Sequence, residues 1–269
     1  MIYFCYFLLG LLIIRLLVAS INYLSFAYLP NVTSLTSTTK VSILIPARNE
    51  EENIGILLAQ LSTFENSIFE IIVYNDHSTD NTESIIKNWA TLKPIIKLIN
   101  GQQPPTGWLG KNNACHQLAN AATGDILLFL DADVHVKKDL IKRSISYLQE
   151  CDLHLLSIFP KQLAKSFGEK ISVPLINWIL LSLLPIFLIR KSKNKAFSAA
   201  NGQFMMFKTT TYKAIWPHEK FKSHQVEDIA IMRLFKQKGL ASDIRLGDMD
   251  ISCRMYGGLN DAIEGFTKN

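Results

Sequence analysis

From residue 2 to residue 29 nearly every position is apolar. A helix needs about 20 such residues to cross a bilayer, so Ile2–Leu29 reads as an uncleaved membrane anchor. The stretch is too long for a signal-peptide core, has no basic segment ahead of it, and no convincing small-residue cleavage site follows. Arg15 lies inside it. A charge there is costly unless it pairs, faces protein or reaches an interface, so the helix is expected to pack on another membrane element or to sit shifted along the bilayer normal. Lys40 and Arg48 follow the span, while no Lys or Arg precedes Arg15. That asymmetry puts the rest of the chain on the cytoplasmic side of a cell membrane, crossed once or several times.

Beyond a Ser/Thr-rich linker at Thr33–Thr39, apolar runs alternate with helical spacing. Val41–Ile45 is apolar and β-branched and is stopped by Pro46, which predicts a buried strand. A helix is expected from Glu50 to Leu61, with Ile54, Leu57, Leu58 and Leu61 on one face. Strands are expected at Glu70–Tyr74, Ile95–Ile99 and Asp125–Leu130. Helices are expected at Asp80–Ala90, Lys111–Ala122 and Lys137–Glu150, with Ser78 or Asp80 capping the first and Gly124 closing the second. Strand alternating with helix is the pattern of an α/β fold with a Rossmann-like, mostly parallel central sheet. Leu153–Phe159 then reads as a strand, Asn201–Phe207 as a glycine-containing turn entering a strand, and Val226–Gly239 as an amphipathic helix. Val173–Ile189 is apolar but interrupted by Pro174 and Pro185, which favours broken or interfacial helices dipping into lipid over a straight span; a buried core helix is the plainer alternative. Leu259–Phe266 reads as a helix lying on the membrane. The resulting organisation is an anchor at 1–30, a linker at 31–40, a catalytic-type domain at 41–250 whose 173–189 segment faces membrane or acceptor, and an interfacial amphipathic tail at 251–269.

Composition supports a packed core: 48% of residues are apolar and 19% charged. The net charge of +5 is too mild to indicate nucleic acid, and the one basic cluster, Arg190, Lys191, Lys193 and Lys195, fits either an anionic membrane surface or a solvated loop. Four cysteines, Cys5, Cys115, Cys151 and Cys253, include no CxxC pair, so neither a zinc site nor a disulfide framework is indicated.

In an α/β sheet, ligands bind at the carboxyl ends of the strands, and polar clusters fall there. Asp131-Ala132-Asp133 follows an apolar strand; two carboxylates one residue apart can offer oxygen to Mg²⁺ or Mn²⁺, although the pair could also cap a helix. Asp76, after the second strand, can accept from a base or ribose, while Ser78 and Asp80 suit capping. Pro46-Ala47-Arg48-Asn49-Glu50 could close over a nucleotide, or mark only an exposed helix start. Glu227-Asp228 opens a helix, where a carboxylate serves either as general base or as a partner of the helix dipole. Lys111, in Gly107-Trp108-Leu109-Gly110-Lys111-Asn112, stands at a helix N-terminus that favours phosphate, or is a plain surface lysine.

Taken in order and spacing, Pro46–Glu50, Asp76 with Ser78-Thr79-Asp80, Asp131–Asp133 and Glu227-Asp228 resemble family 2 glycosyltransferases of the GT-A fold, over about Val41 to Gly239. The resemblance implies inverting transfer from a nucleotide-diphosphate sugar. It implies nucleotide-sugar contacts at Pro46, Ala47, Arg48, Asn49, Glu50, Asp76, Lys111, Asp131 and Ala132, a metal ligand at Asp133 and a catalytic base at Asp228. Gly107–Lys111, Asn201-Gly202-Gln203, Val226-Glu227-Asp228 and Arg254-Met255-Tyr256 are similar to the membrane glycosyltransferases of carotenoid and hopanoid pathways, a group that includes diaponeurosporenoate glucosyltransferases. This narrower likeness implies acceptor-side roles for Asn201, Gly202, Gln203, Glu227 and Arg254. With a polyene carboxylate as acceptor the product is an ester, and Asp228 would position more than deprotonate. The processive members carry QxxRW; here Ile251 and Met255 flank Arg254 in the Gln and Trp places, which favours single transfer. The narrower group continues into further hydrophobic spans, so the chain reads as a short or truncated form.

The expectation is a metal-dependent enzyme moving one sugar from a UDP-sugar to a lipid-phase acceptor in the membrane. The rivals are a polyprenyl-phosphate glycosyltransferase, a nucleotidyltransferase, which the glycine-free Pro46–Glu50 turn disfavours, and a catalytically idle nucleotide-binding scaffold.

Overall fold

The computed structural model describes residues 2–25, 28–30, 39–64, 68–137, 139–247, 249–254 and 258. The linker up to residue 38 and the expected helix at Leu259–Phe266, like Met255 and Tyr256, lie outside the described residues.

Helix α1 (Ile2–Leu24) is apolar and long enough to cross a membrane. Most of its large apolar side chains are exposed, with nothing among the described residues covering them. The buried exception is Asn22. It meets α6 (Phe167–Leu183) and the residues that lead into α7 (Phe187–Lys191). The Asn22 amide donates to the carbonyls of Leu181 at 2.7 Å and Leu184 at 2.8 Å and accepts from the Ile186 N–H at 2.8 Å. These groups are orphaned because the helix breaks at Leu184–Ile186 around Pro185. Arg15 donates to Ser182 Oγ at 2.8 Å and stacks on Trp178. The 173–189 segment is thus two helices, as its prolines suggest, although Pro174 is accommodated inside α6.

The remaining elements are β1 (Val41–Ala47), α2 (Ile54–Ser62), β2 (Glu70–Asn75), α3 (Thr82–Leu92), β3 (Ile96–Asn100), α4 (Gly110–Ala121), β4 (Ile126–Leu130), β5 (Val134–Val136), α5 (Leu140–Glu150), β6 (Leu155–Phe159), β7 (Lys161–Gln162), β8 (Phe204–Lys208), α8 (Thr209–Ile215), α9 (Pro217–Lys220), α10 (Glu227–Gln237), β9 (Ser242–Leu246) and β10 (Ile251–Cys253). Seven strands form the main sheet in the order β3-β2-β1-β4-β8-β6-β9. Only β8 runs against its neighbours, so the sheet is mostly parallel. Both faces are covered, which is why its strands read as continuous apolar runs. Ile43 and Ile45 of β1 and Leu128 of β4 pack under α2, α3 and α5. Leu44, Leu127 and Phe129 pack under α4, α8 and α10.

Several boundaries differ from the sequence expectation. Strand β1 does not stop at Pro46 but runs through it to Ala47. Pairing with β4 ends at Leu44, and the Ala47 carbonyl accepts from Asp76 N on the β2 side. Strand alternation turns the proline nitrogen to the side where no ladder remains, so no bond is lost. Helix α2 begins at Ile54, four residues after Glu50, because Asn49 is left-handed at φ 56° and a turn at 50–53 precedes the helix. Helix α5 begins at Leu140 because Val134–Val136 is a strand. That strand pairs antiparallel with β10, and β10 pairs parallel with β7. Ile251–Cys253, placed in the tail by the sequence reading, therefore returns to the end of β4.

Candidate functional site

Four pieces of backbone bring the predicted nucleotide-sugar residues to one edge of the sheet. They are the carboxyl ends of β1, β2 and β4 and the first turn of α4. Pro46, Ala47, Arg48, Glu50, Asp76, Lys111, Asp131, Ala132 and Asp133 line a cavity of about 320 Å³ together with Gly110 and Ala114. Asn49 is the exception. Its N–H donates to Ser78 Oγ at 3.0 Å and its Oδ1 accepts from Thr79 N at 2.8 Å, so it braces the β1 turn against the β2 turn. Ser78 is occupied in that brace and does not cap α3. Asp80 receives Thr82 N at 3.0 Å at the helix start and Glu51 N at 3.1 Å across the loops.

Glycine at 110 is needed by sterics. A Cβ there would come within 2.6 Å of Asp76 Oδ2, so only a bare backbone lets the start of α4 close on that carboxylate. Asp76 is 5% exposed, its Oδ1 is buried without a partner, and Oδ2 faces the Arg48 guanidinium at 3.7 Å. Lys111, on the same helical turn, reaches both oxygens of Asp131, at 2.7 and 2.8 Å. Burial works against the Lys111 charge, but Asp131 and Glu227 outweigh it and raise its pKa. The ammonium stays charged, and the side chain as a whole is 42% exposed.

Gly202, Glu227 and Asp228 join this group. A Cβ on Gly202 would lie 3.6 Å from Lys111 Nζ, 3.7 Å from Glu227 Oε1 and 3.8 Å from Asp228 Oδ2. Asp228 accepts from Gly202 N at 3.0 Å and from Ile229 N at 2.7 Å, which fixes its plane. Burial raises the Asp228 pKa, against the pull of those two N–H groups and Lys111. Burial pushes Glu227 up to about 7, opposed by Lys111 and helped by Asp228. Glu50 is also raised, first by burial, with its hydrogen bond from Asn53 opposing and Asp133 and Asp131 adding.

The other residues expected on the acceptor side are placed differently. Asn201 folds back, its Oδ1 accepting from Gln203 N at 2.8 Å while its own N–H donates to Ser157 Oγ at 2.8 Å. Gln203 turns towards β10, where its Nε2 donates to Cys253 Sγ at 2.8 Å. Arg254 leaves the cavity and donates to the fully buried Glu169 of α6 at 2.7 Å, holding that carboxylate down to about 2. Cys253, which the sequence reading left without a role, donates to Asp133 Oδ2 at 3.1 Å. No local signal marks it, because only the pairing of β10 with β5 carries it there.

The donor set suits a hard cation. Asp133 is pushed up by burial and then by Asp131, with the Cys253 thiol opposing. Its Oδ1 is buried with no partner. An orphaned carboxylate oxygen of this kind is costly, and a divalent ion would satisfy it. Among the described residues no three His, Cys, Asp or Glu side chains form a ready cage. Asp131 and Asp133 alone would leave most positions of such an ion to other oxygens, as in sites completed by substrate phosphates.

A family model described as glycosyl transferase family 2 matches residues 42–214. The 4,4'-diaponeurosporenoate glycosyltransferase of Staphylococcus haemolyticus is 30% identical over 238 residues, 87% of this chain and 61% of the relative. The protein of the same description from Staphylococcus aureus is 29% identical, over 85% of this chain and 60% of its own length. The chain thus spans about three fifths of these relatives. Among solved structures, the mannosyltransferase PcManGT from Pyrobaculum calidifontis, in complex with GDP-Man and Mn²⁺, superposes with a TM-score of 0.62 at 15% identity, over 96% of this chain and 76% of that one. Staphylococcus aureus TarS in complex with UDP gives 0.55 at 19% identity, over 81% of this chain and 61% of that one. At these identities the likeness is one of fold.

Proposed function

Because the chain belongs to glycosyl transferase family 2, we propose that it transfers one sugar from a UDP-sugar to a lipid-phase acceptor at the cytoplasmic face of a membrane. The observation that carries this reading is the convergence of Asp76, Asp131, Asp133 and Lys111 on one cavity at the carboxyl edge of the sheet. Glu227 and Asp228 approach Lys111 from the Gly202 side.

Asp76, with a free oxygen and Arg48 beside it, is assigned to the base and ribose. Lys111 is assigned to the diphosphate, where a point charge at a helix start is most useful. In the structure that charge rests on Asp131. Asp133 offers Oδ1 to Mg²⁺ or Mn²⁺, with Asp131 beside it. When bound, such an ion neutralises charge that builds on the diphosphate as the sugar bond breaks. Asp228 is assigned to the acceptor. Its fixed plane and raised pKa suit either proton acceptance from a hydroxyl or the positioning of a carboxylate nucleophile, which needs no base. The named substrate of the curated relatives, 4,4'-diaponeurosporenoate, supports a carotenoid-like acceptor. Helix α1, apolar and uncovered, supports a membrane location.

The test is UDP release by the full chain in detergent, with UDP-sugars and a panel of lipid acceptors, with and without Mn²⁺. Mn²⁺-dependent release with one acceptor is expected, and Asp133→Ala should abolish it at an unchanged melting temperature. Undiminished turnover by that variant would remove Asp133 from the metal.

A further inference from the structure

Asp133 is held from behind by a directed chain of hydrogen bonds that starts on β7 and passes through β10. Gln162 Nε2, on β7, donates to Gln203 Oε1 at 3.1 Å. With its oxygen taken, Gln203 turns Nε2 to Cys253 Sγ at 2.8 Å. The sulfur accepts there, so its own S–H is left for Asp133 Oδ2 at 3.1 Å. Each link fixes the direction of the next.

Backbone pairing sets the positions of all three side chains. Cys253 stands opposite Val134, directly after Asp133, and also opposite Gln162. The Gln203 carbonyl accepts from Asp131 N at 3.2 Å. The consequence for the carboxylate is asymmetric. Oδ2 is engaged by the thiol, while Oδ1 is buried and unpartnered.

We infer that Cys253 and Gln203 are positioning residues, which turn Asp133 so that one oxygen alone is presented to a divalent cation. This gives Gln203 a place behind the metal ligand, away from the acceptor. The inference rests on the proposed role of Asp133 as that ligand. Groups that orient a ligand from behind typically contribute about 10–100-fold in metal affinity.

The experiment is Mn²⁺ binding to the full chain in detergent with saturating UDP, read as free Mn²⁺ by electron paramagnetic resonance. Melting temperature and metal-free UDP affinity are followed in parallel. Cys253→Ala removes the donor and is expected to weaken Mn²⁺ by about 10-fold or more. Gln203→Met breaks the preceding link and should weaken it in the same direction. Cys253→Ser keeps a donor and should recover most of the affinity lost in Cys253→Ala. A residue of merely structural importance would lower the melting temperature without this rescue. Parental Mn²⁺ affinity in Cys253→Ala, beside a large loss in Asp133→Ala, would overturn the positioning role and leave the site reading intact. Parental affinity in Asp133→Ala would instead overturn the metal reading, and the positioning role with it. Should Cys253→Ala fail to fold, Gln203→Met and Cys253→Ser decide the matter.

Discussion

Glu227→Gln should make the protein more stable at alkaline pH while impairing its chemistry. Glu227 is 7% exposed at the start of α10, and burial lifts its pKa from an ordinary 4.5 to about 7 despite Lys111 nearby. Below pH 4.5 the carboxyl is protonated in both folded and unfolded chains, so it contributes no difference. Between pH 4.5 and about 7 the unfolded chain releases this proton and the folded chain keeps it. The folded state binds more protons there, and stability falls as pH rises. The gap corresponds to at most about 3 kcal/mol, complete above pH ~7. For a chain of this size that is roughly 6–12 °C in melting temperature. Glutamine has the shape of the neutral acid and does not titrate. Melting of the full chain in detergent, free of nucleotide and metal, would be followed from pH 4.5 to 8 for parent and variant. The two curves should meet near pH 4.5 and separate progressively, with the variant higher at pH 8. A constant gap across the range, or a variant less stable than the parent at pH 8, would refute the reasoning. The same substitution should lower transfer if Glu227 serves the acceptor side, an exchange of stability for function.

Two further outcomes follow from single contacts. Gly110→Ala inserts a Cβ 2.6 Å from Asp76 Oδ2, so that carboxylate must move; the strain should cost about 1–3 kcal/mol of stability, read as a lower melting temperature, and titration with UDP should show weaker binding. Asn22→Ala leaves the Leu181 and Leu184 carbonyls and the Ile186 N–H without their partner. The buried Ile186 N–H alone puts about 1–3 kcal/mol at stake and the two half-buried carbonyls less, read as a lower melting temperature and faster tryptic cleavage near Arg190 and Lys191.

Much of the site was legible because the sheet is covered on both faces. Strands such as β4 (Ile126–Leu130) then read as unbroken apolar runs, and the first polar residues after each run must lie at the strand ends. The apolar runs alone therefore put Asp76 and Asp131–Asp133 at the same edge. Helix starts were less legible. Glu50 carries helical spacing, but the left-handed Asn49 and the braces to Ser78 and Thr79 occupy its turn.

Amino-acid order by itself determined the long apolar helix at the start of the chain, the alternation of strand and helix, and the edge where the carboxylates gather. Those features depend on residues two to four positions apart, whose spacing the chain displays directly. Only the tertiary structure decided that Asn22 closes the break between α6 and α7, that Arg254 pairs with Glu169 instead of entering the cavity, and that a two-residue and two three-residue strands deliver Gln162 and Cys253 to the back of Asp133. Strands that short have no stability or periodicity of their own. They exist because distant segments pair with them, and that pairing is invisible until the chain is folded.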